Sequence, residues 1–184
     1  GDEHIAHGED LVVAGLAALP LGATGWLMGA PAPLAGFADF AAVRAWLDRL
    51  DASATRPVSA TAWRVAQVLE HAAQSIEYSL DGFPQAKAAW FQHSAGALAF
   101  AAFDRLGRMR HTLTEPIPGA PALLYESIEV GSERLRQAIA RFEAHQGPLA
   151  PHFAYGTLDT RQYTRAHLMH LADHATAVTI ELPL

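Results

Sequence analysis

The chain has 184 residues, of which 51% are hydrophobic, a formal net charge of -6 with ten histidines counted neutral, and no cysteine. That length suits one domain able to bury a core without disulfide or metal staples. The acidic balance and 13 scattered Lys and Arg, with Lys87 the single lysine, disfavour nucleic acid and membrane surfaces as partners, and the missing thiols exclude disulfides, thiolate nucleophiles and Cys-rich zinc sites.

Residues 11–19 are apolar and end in Pro20-Leu21-Gly22. They resemble the apolar stretch of an export signal, yet Asp2, Glu3, Glu9 and Asp10 precede them where positive charge belongs. A packed N-terminal helix or arm is the reading adopted, with export as the alternative and the cytoplasm as the expected compartment. The run is too short to span a bilayer. Pro20, Pro31, Pro33 and the glycines around them make residues 20–37 an irregular arm. The expected division is an N-terminal segment over 1–37 and a helical domain over 38–184.

Residues 40–50 read as a helix, because Phe40, Val43, Leu47 and Leu50 recur at three- and four-residue steps behind a capping Asp39. A long helix is predicted over 61–80, with Trp63, Ala66, Leu69, Ala73, Ile76 and Leu80 in one stripe, stopped by Asp81-Gly82-Phe83-Pro84. A very apolar helix over 87–106 is expected at the centre of the fold and ends at Gly107. Residues 108–121, with Pro116, Pro118, Gly119 and Pro121, form a crossing loop with a short extended piece at 109–113. Helices follow over 123–145 and from 160 to about 181. Four long helices with shorter connections predict an all-α protein, a helical bundle with an extra N-terminal segment.

The last helix carries His167, His170 and His174. At ~100° per residue the three fall within roughly 60° of one another, on the side that also holds Tyr163, Ala166 and Leu171. His170 and His174 are four residues apart, the step that lets imidazoles on adjacent turns meet one ion. A third ligand must come from another helix, and His71 is the best candidate, at the edge of its apolar stripe. Three imidazoles with one open position is the pattern of a catalytic zinc-type site, and neutral imidazole suits zinc, nickel and iron alike. A polar histidine network without metal is the competing reading. His93, His111 and His145 are expected at the surface, and His152 either as a plain loop residue or at a cleft mouth.

The stretch from Trp63 to Pro84, with Gln67-Val68-Leu69-Glu70-His71 and Ser75-Ile76-Glu77-Tyr78-Ser79, resembles the uncharacterised, DUF-type branch of the DinB/YfiT-like superfamily. So do Pro151-His152-Phe153, Gly156-Thr157-Leu158 and the run from Tyr163 to His174. The resemblance covers most of residues 38–180. It implies a four-helix bundle, often a homodimer, with a divalent metal on His71, His170 and His174, and His167 beside them as a second layer or an alternative ligand. The chain departs from that branch at Ala175 to Ala177, where relatives often carry a Gln-like residue. Some superfamily members are transferases or isomerases that use a small thiol, and many others have no known activity. The expected function is therefore a metal-dependent transferase or hydrolase acting on a small-molecule substrate, and the alternative is a non-catalytic metal-binding or protein-interaction bundle. Glu70, Glu77 and Asp173 are the acidic residues nearest the ligands, with Asp173 placed either to orient a ligand ring or in a salt bridge. Arg64 and Arg165 are the candidate cations for a substrate carboxylate.

Overall fold

A computed structural model describes residues 29–53 and 55–181, and these are mainly helical with one small sheet. The reading of residues 11–19 lies outside the described residues. In chain order the elements are α1 (Phe40–Asp51), β1 (Val58–Ser59), α2 (Val65–Asp81), α3 (Ala89–Phe91), a π-helical turn (Gln92–Gly96), α4 (Ala97–Leu106), α5 (Ile128–Ala144), α6 (Thr160–Ala175) and β2 (Val178–Thr179). Among the described residues no helix is long and apolar enough to cross a membrane.

The core lies where α2 and α5 pack along their length, with α1 against α5 and α6 against α2. Leu69, Leu47, Leu135 and Ile139 are fully excluded from solvent, and side chains of this kind stabilise by ~1.5–3 kcal/mol each when buried. Gly131 permits the close approach of α5 to α2: a Cβ there would stand 2.9 Å from Leu69 Cβ and 3.2 Å from the Ala66 carbonyl oxygen.

The boundaries follow local hydrogen bonding. Asp39 caps α1 as expected, its carboxylate accepting the Ala42 N–H at 2.8 Å. Helix α2 begins at Val65 rather than near Thr61. Ser59 and Thr61 hydroxyls accept the N–H groups of Thr61 and Trp63 at 3.2 and 3.3 Å, which holds this stretch in turns. Helix α5 begins at Ile128 rather than at Leu123, because the Leu124 and Tyr125 N–H groups donate to the Glu70 carboxylate at 2.7 and 2.8 Å. The last helix stops at Ala175, and the β-branched run beyond it forms β2, paired antiparallel with β1 through Val58–Thr179 and Ser59–Val178. Residues 109–113 form no helix or strand.

The apolar helix expected at the centre is peripheral. Trp90 is 66% exposed and Leu98 48%, while Phe91, Gly96, Ala99 and Phe100 face inward. A π turn interrupts its α-helical hydrogen bonding, and there Gly96 lies against the loop that precedes α6. A Cβ on Gly96 would meet the Ala154 carbonyl oxygen at 1.9 Å.

Glu70 is nearly buried and fastens the crossing loop to α2, with Arg134 3.8 Å away and itself held by both carboxylate oxygens of Glu77 at 2.8 and 2.9 Å. Glu70→Ala leaves two backbone N–H groups without acceptors. It is expected to cost about 2–4 kcal/mol, since hydrogen bonds to a charged group contribute ~1.5–3 kcal/mol and orphaned donors add their desolvation. Urea unfolding checks this, and an unchanged midpoint would show that the loop does not depend on Glu70.

Candidate metal centre

Helix α2 brings His71, and α6 brings His170 and His174, to one point inside the fold. His71 and His174 are buried and His170 is partly so. Their ligand atoms all lie within 4.8 Å of one another. The Nε2 of His170 is 3.1 Å from that of His71 and 3.1 Å from that of His174. Two imidazoles bound ~2.0–2.1 Å from one tetrahedral zinc stand ~3.3–3.4 Å apart. These residues could therefore hold a metal ion.

The rings are poorly explained as a hydrogen-bonded network. A neutral imidazole nitrogen has either one proton or one in-plane lone pair. The single proton or lone pair of His170 Nε2 is divided between two ring nitrogens, each 3.1 Å away. Burial depresses the proton affinity of all three rings, with neighbouring imidazoles adding to it. The pKa falls to about 3 for His71, to about 2 for His174 and well below its ordinary value for His170. All three are neutral at pH 7, the form that presents a lone pair to a metal.

A fourth imidazole joins them from the crossing loop. His111, expected at the surface, places its Nε2 3.1 Å from that of His174 and its ring centroid 4.8 Å from those of both His170 and His174. Asp173 braces it from behind. One carboxylate oxygen accepts the His111 backbone N–H at 3.0 Å and lies 2.8 Å from the ring Nδ1. This second contact is a close approach rather than a formed hydrogen bond, and the His111 Nδ1 is buried without a hydrogen-bond partner. The His71 Nδ1 is buried and has no partner. Trp63 covers the cluster, tilted over His71 at 5.0 Å and stacked on His174 at 6.2 Å.

His111 falls outside the group of three whose ligand atoms all lie within 4.8 Å of one another, and so does His167. His167 stacks on Tyr163 one turn earlier, and its Nε2 is 3.1 Å from the Ser79 hydroxyl. That hydroxyl donates to the Ile76 carbonyl at 2.6 Å, so it accepts from His167. Burial lowers the His167 pKa to about 3.

A cleft of about 860 Å3, counting its open mouth, runs to the cluster and meets it along His71, His111 and His170. Its walls are largely apolar, with Met109, Ile117, Phe153 and Tyr155, and its polar groups include Lys87, Glu115 and His152. His152 thus lines the cleft. Its Nδ1 accepts the N–H groups of Ala154 and Tyr155 at 3.1 and 3.2 Å, which fixes the proton on Nε2, and its ring stacks on Tyr155 at 4.2 Å. The proposed cations lie elsewhere. Arg165 pairs with Asp104 and donates to the Ala32 carbonyl, and Arg64 donates to the Tyr125 carbonyl. Glu70 and Glu77 are spent on the loop and on Arg134. Tyr163 donates to the Ala150 carbonyl at 2.7 Å and belongs to the core.

With this geometry in view, a family description, "Protein of unknown function (DUF1569)", matches residues 34–181. The chain belongs to the DUF1569 family. The matched span contains α1 to β2, the crossing loop and all four clustered histidines. No curated protein and no solved structure matches the chain.

Proposed function

We propose that this DUF1569 chain is a divalent-metal protein of the DinB/YfiT-like type, with the metal on His71, His170 and His174 and a small molecule as its substrate. The observation that carries the reading is the convergence of three imidazoles whose ligand atoms lie within 4.8 Å of one another, two of the rings lining a cleft. The donor set fits zinc, nickel or iron. The bundle architecture over residues 38–184, an N-terminal segment over 1–37 and a homodimer belong to the same proposal.

The metal would supply a positive centre that lowers the pKa of a bound water or thiol, or polarises a carbonyl. The protein's part is to keep the imidazoles neutral by burial, to fix their positions on two packed helices and to shield them with Trp63. The apolar walls draw an uncharged body out of water and strengthen electrostatics at the inner end. Transfer to a small thiol and metal-assisted hydrolysis both suit such a site. The cleft favours chemistry, whereas His111 favours the second reading, a closed metal that stabilises a non-catalytic module, because four protein ligands leave no open tetrahedral position.

The test is elemental analysis of protein prepared without nickel resin and then offered zinc, nickel and iron salts separately. Near one tightly bound ion per chain for at least one of them is the expected result. A folded chain that retains none of the three overturns the reading.

A further inference from the structure

Resting on that metal reading, we infer that His111 is a fourth, exchangeable metal ligand, held in place by Asp173, and that a ligand entering the cleft reaches the metal by replacing it. Three observations support this. The His111 Nε2 is 3.1 Å from that of His174, the separation that also joins His71 to His170 and His170 to His174. An oriented imidazole with a carboxylate behind it is a recurrent second layer around bound metals, and Asp173 touches both the backbone N–H and the Nδ1 side of His111. The third is the chain's architecture. His71, His170 and His174 stand on α2 and α6, while His111 sits in the irregular segment between α4 and α5, with its side chain 24% exposed.

The cleft explains why His111 is the ligand that yields. The same segment supplies Met109, Glu115, Pro116, Ile117 and Pro118 to the cleft wall. A molecule that occupies the cleft therefore presses on the element that carries His111, and the other three rings do not depend on that element. The exchange is one bond for another: the metal–Nε2 bond of His111 breaks and a bond to a donor atom of the incoming molecule forms. At rest the metal is closed against water, and with a ligand in the cleft it becomes reactive.

Cobalt(II) reports this directly, because its visible bands follow coordination number and donor type. The holoprotein is loaded with cobalt and titrated with sodium azide, alongside His111→Ala and Asp173→Asn. His111→Ala is expected to keep about one cobalt per chain, to change the visible spectrum in the absence of azide, and to bind azide at least about tenfold more tightly than wild type. Asp173→Asn is expected to shift both readouts in the same direction by less, in keeping with the ~10–100-fold effects of outer-layer partners. His111→Gln guards against loss of the loop's fold and should reproduce the azide result. Unchanged spectra and azide affinity in both His111 variants overturn the inference while leaving the three-histidine metal intact. A wild type that takes up no cobalt overturns the metal reading itself, and this inference with it.

Discussion

His170→Ala is expected to reduce bound metal from near one ion per chain to a trace, with the helical fold retained. His170 is the hub of the cluster, since its Nε2 is the one that stands 3.1 Å from the rings of both helices. Its loss should exceed the ~10–100-fold drop in affinity that removing an outer-layer partner causes, and His71→Ala should behave likewise because α2 offers the cluster no other imidazole. The fold should survive, because Leu168, Met169 and Leu171 on the same helix remain packed in the core. Metal analysis and far-ultraviolet circular dichroism on the same samples check both halves. Metal retained at wild-type affinity in His170→Ala would sink the assignment, whatever the reaction.

The second large effect is acid unfolding of the metal-free chain. Burial holds the pKa of His71, His152 and His167 at about 3 and of His174 at about 2, with His170 also far below its ordinary value. The unfolded chain takes up protons on these rings from pH ~6.5 downward. The folded chain does not until about pH 3. Between those limits the unfolded state binds more protons, so stability is complete above pH ~6.5 and falls as pH drops toward 3. Each ring contributes up to ~1.4 kcal/mol per pH unit, and five approach ~7 kcal/mol per unit. Against a typical domain stability of ~5–15 kcal/mol, the midpoint of acid unfolding is expected between about pH 4 and 6, with uptake of several protons at once. Bound metal should move it lower, since the ion also selects the neutral rings. A metal-free chain still folded at pH 3 would show that these rings are not buried and neutral.

Much of this molecule is legible as periodicity. The stripe Phe40, Val43, Leu47 and Leu50 is buried as a unit, and the ring pair His170 and His174 faces inward as its spacing requires. What failed to show has a common cause, namely contacts distant in sequence. The start of α5 is displaced by a carboxylate 54 residues earlier, Glu70. The helix read as central has the composition of a core helix, yet Trp90 and Leu98 face out, because hydrophobicity ranks helices without placing them. His111 lies in Arg108-Met109-Arg110-His111-Thr112, a stretch with no period and with two arginines just before the histidine, so nothing local marks it. Two signals were available. The connection over 107–127 is longer than two adjacent helices need, and long structured loops in compact domains tend to carry function. Asp173 beside an inward-facing histidine pair also invited a partner for its carboxylate.

The two-residue ladder between β1 and β2 has a consequence out of proportion to its size. It joins the chain just before α2 to the chain just after α6, and the Ala60 N–H to Ala177 carbonyl bond at 2.8 Å extends the join toward Trp63. These are the ends of the two helices nearest the histidines. A helix that slips by one residue moves ~1.5 Å along its axis, most of a metal–nitrogen bond length. The ladder therefore acts as an index pin that sets the axial registration of His71 against His170 and His174, so that the placing of a buried histidine cluster depends on four residues on the protein's rim.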